Sequence, residues 1–223
     1  MELEIFMVKL TGNYLQRRDI PKIRGFLANE FSGYTELHNH TTNGSFIYGY
    51  PKIQYKVISG IPHIISIGDS AQVLIDVFLR IKEIDLKNRA LKLLEKGYYV
   101  KKEYFGIIKE MKKYRFITPW MALNQENYRK YIEHDSIRKA EMLKSILTGN
   151  ILSMSKYLNY DVQEKIVVLL NVRPVNVNFK NNRMFAFKGE FLVNFKIPDL
   201  LGIGKSVSRG FGTVKAMPDE EFV

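Results

Sequence analysis

Residues 53–84 read IQYKVISGIPHIISIGDSAQVLIDVFLRIKEI, and the fold class follows from this stretch. Ile53–Ile58 and His63–Ile67 are rich in β-branched residues on either side of Gly60, so they predict two strands joined as a hairpin. The region from Ala71 to Ile84 has apolar residues at helical spacing and predicts an amphipathic helix. Its apolar face consists of Val73, Val77, Ile81 and Ile84. Two strands followed by a helix indicate a mixed α and β domain.

The residues before and after this stretch complete the order of elements. Leu3–Leu10 is apolar enough for a strand, and Tyr98–Val100 predicts another. Asp19 and Pro21 suit the start of a helix, as N-cap and first-turn proline, and the helix runs to about Phe31. The resulting order of strand, helix, strand, strand, helix, strand is the ferredoxin-like plan.

The second half of the chain predicts a similar set of elements. Arg115–Leu123 predicts a strand, and its proline indicates an edge or a bend. Ser136–Leu158 has an apolar stripe at helical spacing and predicts the longest helix, with the stripe in the core. Lys165–Val175 and Met184–Ile197 predict long strands that pair as a hairpin, and a short strand around Thr213–Lys215 closes the chain.

We therefore predict an α+β chain with two ferredoxin-like (RRM-like, βαββαβ) domains in tandem, at residues 1–113 and 114–223. The second domain is a distorted copy of the first and contains a C-terminal glycine-rich loop. A length of 223 residues suits two domains of about 100 residues each.

The charge balance favours a phosphate-bearing partner. The chain has 34 Lys and Arg against 23 Asp and Glu, a formal net charge of +11, together with 13 Tyr and 14 Phe. Basic side chains bind phosphate with release of counterions, and aromatic rings stack on unpaired bases. A solvated lysine-rich surface is the alternative explanation.

Composition also excludes several classes of protein. Cysteine is absent, which rules out disulfides and thiolate metal sites and fits a reducing cytoplasm. No apolar run approaches the roughly 18 residues that a membrane helix needs. The start, Met1-Glu-Leu-Glu4, has acidic residues where a secretory signal has positive charge, so we expect a cytoplasmic protein.

Four of the fifteen glycines lie in the glycine-rich stretch Gly202-Ile-Gly-Lys-Ser-Val-Ser-Arg-Gly-Phe-Gly212. Glycine lets a backbone approach a ligand closely and turn its amides toward an anion. Lys205 and Arg209 add positive charge, and two serines add hydroxyl donors. The predicted contacts to a sugar–phosphate backbone are Gly202, Gly204, Lys205, Ser206, Ser208, Arg209, Gly210 and Gly212. A purely structural loop with tight turns is the alternative.

Two nucleotide-binding motifs do not fit this stretch. Gly204-Lys205-Ser206 is like the end of a P-loop, but Asp199 stands where that motif needs its first glycine, and a strand follows rather than a helix. The dinucleotide fingerprint fails as well, because Val207 occupies its third glycine position.

The glycine-rich stretch resembles the C-terminal loop of the repeat-associated (RAMP) superfamily of CRISPR proteins. Further similarity is to the CRISPR repeat-RNA endoribonucleases, closest to the branch associated with type I-B systems. It lies in LHNH at 37–40, YPKIQYKVI at 50–58, FITPWMALNQ at 116–125 and GNILSM at 149–154. The resemblance implies a metal-independent endoribonuclease that cuts CRISPR precursor RNA within its repeats to give guide RNA. The alternative is a non-cleaving RNA-binding subunit of a CRISPR interference complex.

The histidine segment, residues 32–44, contains two of the four histidines, His38 and His40. Metal-free RNA cleavage requires a base for the 2′-hydroxyl and an acid for the leaving 5′-oxygen, and histidine, with a pKa of about 6.5, suits both. In an extended chain, positions i and i+2 project from one face about 6.5–7 Å apart, whereas in a helix the two rings diverge. We expect His63 to be a hydrogen-bonded sheet residue and His134 to be solvated.

The resemblance implies an active-site histidine and tyrosine in this region. We assign these roles to His40 and Tyr48, with His38 as the second candidate and Tyr50 or Tyr34 as alternative rings. A zinc site or a structural or RNA-contacting role for the histidines are the other interpretations. Structural zinc needs four ligands and the chain has no cysteine, so we expect no metal and no cofactor.

The implied partner is CRISPR repeat RNA, often a short hairpin, cut at the 3′ base of its stem. The products would be a 2′,3′-cyclic or 3′ phosphate and a 5′-hydroxyl. Besides Lys205 and Arg209, we predict phosphate contacts from Arg24 and Lys52, and Arg17-Arg18 extend the basic surface or are simply solvated. Other CRISPR-complex subunits are further expected partners, and a monomer and a homodimer both stay open.

Overall fold

The computed structural model describes residues 1–11, 14–37, 49–86, 89–92, 95–179 and 182–218. Its helices are α1 (Ile20–Glu30), α2 (Ser70–Arg80), α3 (Gln125–Glu133) and α4 (Ser136–Tyr157). Its strands are β1 (Glu2–Thr11), β2 (Ile53–Ile58), β3 (Ile61–Ile67), β4 (Glu83–Asp85), β5 (Ala90–Lys92), β6 (Glu95–Tyr104), β7 (Gly106–Phe116), β8 (Val168–Phe179), β9 (Asn182–Lys196) and β10 (Val214–Ala216).

The chain forms two compact units. The N-terminal unit comprises Glu2–Glu103 together with Val207–Gly210, and the C-terminal unit comprises Met1, Tyr104–Ser206 and Phe211–Val223. The division at residues 113 and 114 stays a prediction about domains that fold independently.

The N-terminal unit has the predicted ferredoxin-like order. Its sheet runs β2-β3-β1-β6, with β1 and β3 antiparallel and β2 and β3 joined as the predicted hairpin. Ser59 and Gly60 form the turn with φ of 49° and 82°, the left-handed conformations of a tight two-residue hairpin loop. Helices α1 and α2 pack their apolar residues on one face of this sheet. The core includes Phe6, Val8, Leu10, Ile23, Leu27, Ile53, Tyr55, Ile64, Leu74 and Val77.

The C-terminal unit repeats the strand arrangement, but its two helices, α3 and α4, both lie between its first and second strands. Its sheet runs β10-β7-β9-β8, so the first, second, third and fourth strands of this half lie in the same order as in the N-terminal sheet. α4 follows the first strand of the copy, as predicted. Between β9 and β10, where the plan has its second helix, the chain forms the glycine-rich stretch with a short 3₁₀ turn at Val207–Arg209. This substitution is the distortion predicted for the second copy.

Several predicted boundaries were wrong. The strand predicted at Lys165–Val175 is β8, Val168–Phe179. α2 ends at Arg80, and Ile84 lies in β4. Ile84 is buried like the apolar residues of α2, so its position in the sequence extended the helical pattern by mistake. The strand predicted at Arg115–Leu123 is β7, Gly106–Phe116, whose charged residues interrupt any alternation of polar and apolar positions. Trp120 follows β7 and pairs with Phe187 as an isolated bridge.

One helix start differs from expectation in its capping, and one helix was not predicted. Asp19 precedes α1, but its Oδ2 accepts a 3.0 Å hydrogen bond from the Gln16 amide and closes the preceding 3₁₀ turn. α3 was not predicted, because Tyr131 is its one buried residue and its other positions are polar or exposed. Its N-cap Asn124 accepts a 2.6 Å hydrogen bond from the Asn127 amide.

Within the described part of the chain, no helix has the length and apolar character needed to cross a bilayer.

Candidate RNA-binding and cleavage site

The glycines of the glycine-rich stretch are required by close packing. Gly212 has a φ of 62°, and a Cβ there would lie 1.9 Å from the Ile203 carbonyl oxygen. Gly204 has a φ of 91°, and its Cβ would lie 2.6 Å from Trp120 Nε1. A side chain at either position would have to displace its neighbours. Close approach of other protein atoms, rather than of a ligand, therefore explains these two glycines: the Ile203 backbone at Gly212 and the Trp120 ring at Gly204.

Several backbone amides of this stretch are used inside the protein. The Lys205 amide donates to the Met121 carbonyl at 3.1 Å, and the Gly212 amide donates to the Pro119 carbonyl at 2.9 Å. The Gly210 amide donates to the Val207 carbonyl at 3.0 Å. Because these amides face protein acceptors, the side chains of the stretch are better placed than its amides to meet an anion.

The polar side chains of the stretch divide between the two units. Lys205 and Ser206 belong to the C-terminal unit, whereas Ser208 and Arg209 belong to the N-terminal unit. Lys205 is exposed and Ser208 is half-buried. Partial burial lowers the pKa of Lys205 and of Arg209 below the usual values.

Arg24 and Arg209 belong to segments that pack together in the N-terminal unit. A Cβ built on Gly210 would lie 2.6 Å from Ile20 Cδ1 and 3.0 Å from the Tyr55 carbonyl oxygen, so this segment packs between α1 and β2. Arg24 lies one helical turn after Ile20, on the same face of α1. Burial and the positive charge of Arg209 both lower the pKa of Arg24.

Tyr55 connects this pair of arginines to the histidine segment. Its hydroxyl donates a 3.1 Å hydrogen bond to the carbonyl oxygen of Leu37. The Leu37 side chain is buried in the core, and its amide donates to the Tyr34 carbonyl at 3.2 Å. His38 is the next residue along the chain. The last described residue before the two histidines is therefore fixed on β2, next to the segment that contains Arg209.

The predicted catalytic residues His38, His40 and Tyr48 lie outside the described residues. Their described alternatives differ in surroundings. Tyr34 packs on the core, and its hydroxyl donates to Asp76 Oδ2 at 3.1 Å. Tyr50 is half-buried. Asp76 thus holds the Tyr34 hydroxyl on α2.

Lys52 and His63 have defined partners. Lys52 forms a 2.7 Å ion pair with Asp69, and both side chains are exposed. The Nδ1 atom of His63 lies 2.9 Å from the Ile61 carbonyl oxygen, as expected of a hydrogen-bonded sheet residue. Burial, together with the charges of Lys9 and Lys56, lowers the His63 pKa. His134 follows α3 and is half-buried.

Sequence reasoning missed Lys56, which lies on the sheet face opposite the helices. Its side chain is 1% exposed, and its Nζ donates a 2.9 Å hydrogen bond to Gln54 Oε1. Burial lowers the Lys56 pKa to about 7. The alternation of IQYKVI on β2 was the available signal, because it places Gln54 and Lys56 together opposite Ile53 and Tyr55.

A metal centre has no candidate among the described residues. Within residues 1–11, 14–37, 49–86, 89–92, 95–179 and 182–218, no three His, Asp or Glu side chains are grouped to hold an ion.

Comparisons with known proteins agree with the family resemblance of the sequence. Residues 1–104 match the Cas6b N-terminal domain family, and residues 106–217 match the Cas6b C-terminal domain family. An uncharacterized protein of Methanocaldococcus jannaschii is 49% identical over 140 residues, which cover 62% of this chain and 95% of that protein.

Two solved structures are similar over nearly the whole chain. A crystal structure of Cas6b is 42% identical, with a TM-score of 0.92, and covers 97% of this chain and 100% of that one. A crystal structure of the CRISPR RNA processing endoribonuclease Cas6b is 38% identical, with a TM-score of 0.80 and the same coverage. The two domain families and these structures confirm the predicted resemblance, and the chain belongs to the Cas6b family.

Proposed function

We propose that this chain is a metal-independent endoribonuclease that cleaves CRISPR precursor RNA within its repeats. Two contacts of Tyr55 are the observation that supports the proposal most directly. Its hydroxyl holds Leu37, the residue before His38, and its carbonyl lies beside Gly210, the residue after Arg209. Leu37 of the histidine segment and Gly210 of the glycine-rich stretch therefore both contact Tyr55 on β2.

The proposed chemistry uses the 2′-hydroxyl of the RNA as the nucleophile. A general base takes the 2′-hydroxyl proton, and the 2′-oxygen attacks the adjacent phosphorus. The bond from phosphorus to the 5′-oxygen breaks, and a general acid gives that oxygen a proton. The products are a 2′,3′-cyclic phosphate and a 5′-hydroxyl. We assign the histidine role to His40, with His38 as the second candidate, and a supporting role to Tyr48.

The proposed RNA contacts divide into two groups. Lys205, Ser206, Ser208 and Arg209, with Gly202, Gly204, Gly210 and Gly212, provide the predicted phosphate contacts of the glycine-rich stretch. Arg24 and Lys52 contribute from α1 and from the start of β2. Lys52 must leave its ion pair with Asp69 to bind phosphate, so we expect it to contribute less to RNA affinity than Arg24.

Cleavage of a labelled repeat RNA in excess EDTA tests the proposal. We expect a single cut, a 2′,3′-cyclic or 3′ phosphate on the upstream product, and no cut when the scissile nucleotide has a 2′-hydrogen. Activity that EDTA abolishes and Mg²⁺ restores would show a metal-dependent hydrolase. Tight binding of an RNA that stays intact would show a non-cleaving subunit instead.

A further inference from the structure

We infer that Arg24 and Arg209 form one anion site that holds a single phosphate group of the RNA backbone. The inference rests on the proposed RNA binding. It assigns one shared phosphate to Arg24 and Arg209, which were predicted as separate contacts. The chemistry recognised is that of a phosphodiester, which has one negative charge and two non-bridging oxygens.

The geometry brings together, from distant parts of the chain, the two segments that carry these arginines. Arg24 is on α1, on the face where Ile20 packs against Gly210, and Arg209 immediately precedes Gly210. Arg209 is in the 3₁₀ turn Val207–Arg209, which packs against β2 as part of the N-terminal unit. Both arginines are half-buried.

Two positive groups in a partly desolvated setting repel each other more strongly than they would in water. Burial and the charge of Arg209 lower the Arg24 pKa, as expected of like charges brought close together. A bound phosphate would relieve this repulsion, because each arginine can donate to one of its non-bridging oxygens. The arrangement costs stability in the RNA-free protein and gains affinity in the complex, as functional sites often do.

A double-mutant cycle on RNA binding tests the shared site. Arg24→Gln, Arg209→Gln and the double variant are compared for binding of a repeat whose scissile nucleotide has a 2′-hydrogen, so that no cleavage is needed. Each single variant should lose affinity about 10- to 100-fold, as for a charge-assisted hydrogen bond. The double variant should lose little more than either single variant, because one phosphate contact is already gone.

The dependence of RNA affinity on salt concentration measures how many phosphates the protein neutralises. Each phosphate neutralised adds about 0.7–0.9 to the slope of log affinity against log salt concentration. We expect the double variant to lower this slope by about one such increment and not two. Lys22→Gln, an exposed lysine on the same helix paired with Asp19, is the matched control and should change neither affinity nor coupling. Additive losses in the double variant, or losses equal to those of the control, would overturn the shared site.

Thermal unfolding of the RNA-free protein is the second arm and uses sulfate as the probe. Arg24→Gln and Arg209→Gln should each raise the melting temperature at low salt, since either one removes the repulsion. Sulfate should stabilise the wild type more than NaCl of equal ionic strength, and neither single variant should show this difference. A lower melting temperature in both single variants would contradict the repulsion argument. Sulfate stabilisation without the RNA coupling would identify a site for free anions and overturn the RNA assignment.

The proposed cleavage can fail independently of this site. Wild type that binds the repeat without cutting it refutes the nuclease, while the cycle on the uncleavable RNA still decides the shared phosphate.

Discussion

Tyr55 makes contacts in two directions from one strand, and this explains why it is a tyrosine. Its ring is buried in the core of the N-terminal unit, its hydroxyl donates to the Leu37 carbonyl, and its own carbonyl faces Gly210. Phenylalanine would fill the same space without the hydroxyl. The hydroxyl therefore serves to hold Leu37, from which the chain continues directly to His38.

Tyr55→Phe should slow cleavage more than it weakens RNA binding. Loss of the hydrogen bond to Leu37 leaves the histidine segment less well placed, and a displacement of about 1 Å can cost up to roughly 100-fold in rate. Single-turnover cleavage at saturating protein, with a separate binding titration, measures the two effects. The expected result is a rate lower by about 10- to 100-fold with unchanged affinity.

Tyr114→Phe is the matched control for this substitution. Tyr114 is also a buried tyrosine, and its hydroxyl accepts a 2.9 Å hydrogen bond from the Ile197 amide. Both variants should lose about 1–2 kcal/mol of unfolding free energy. Equal cleavage rates in the two variants would show that Tyr55 contributes to stability alone.

Lys56 makes the stability of the protein depend on pH. Its pKa is about 7 in the folded state and 10.5 in an unstructured chain, so the unfolded state holds the proton more tightly between these values. Stability should therefore rise as pH increases from 7 toward 10, and the cost of burying the charge is complete below pH 7. The buried Tyr55, whose pKa is raised by burial, opposes this trend only above its ordinary value of 10.

Lys56→Met should flatten the dependence of melting temperature on pH between 7 and 9.5. Methionine fills a similar volume and has no proton to exchange, so the difference from wild type isolates the lysine. Lys22→Met, at an exposed position, should keep the wild-type slope. A Lys56→Met profile parallel to that of the wild type would contradict the assignment. The alternation of IQYKVI indicates the side of β2 on which Lys56 lies, but the burial of Lys56 and the Arg24–Arg209 pair depend on long-range packing, which local sequence does not show.

At the scale of elements, the glycine-rich stretch takes the place of a helix. The sequence predicted the cluster and its charges, since glycine enrichment and basic residues are visible without a structure. It did not show that the glycines pack against Trp120 and Tyr55, which are far away in the chain, and against Ile203 of the same stretch. For this reason, backbone amides of the stretch that were predicted to point outward form hydrogen bonds inside the protein instead.

Gly210→Ala should lower both stability and RNA affinity. Gly210 has a φ of 78°, and an alanine there would meet the Tyr55 carbonyl oxygen at 3.0 Å. The expected cost is about 1–3 kcal/mol of unfolding free energy, together with displacement of Arg209. Thermal unfolding and a binding titration measure the two effects.

Gly149→Ala is the matched glycine replacement. Gly149 lies within α4, where a Cβ would have no atom within 4 Å. Alanine should stabilise the helix by about 0.5–1 kcal/mol and leave RNA binding unchanged. If Gly210→Ala behaved like Gly149→Ala, the close packing of the glycine-rich stretch on β2 would be refuted.

Element boundaries were predictable where the apolar pattern alternated or repeated clearly. The hairpin of β2 and β3 and the long helix α4 were predicted for this reason. α3 was missed because its exposed face dominates its composition, and the end of α2 was missed because Ile84 continued the pattern from a strand. Local sequence does not separate a buried strand residue from a buried helix residue in so short a run.

At the scale of the whole molecule, one strand order occurs twice. The order β2-β3-β1-β6 in the N-terminal sheet corresponds to β8-β9-β7-β10 in the C-terminal sheet. The tandem fold followed from the succession of elements and from a resemblance that spans most of the chain. The catalytic assignment came from the resemblance and from histidine chemistry, and it stays a prediction because those residues lie outside the described part of the chain.

Single-turnover cleavage of a repeat RNA in EDTA by wild type and His40→Ala tests the central claim most directly. Removal of a general acid or base should slow the reaction about 100-fold or more. Affinity for the same RNA should stay close to that of the wild type, because the phosphate contacts are elsewhere. Cleavage by His40→Ala at the wild-type rate would contradict the account.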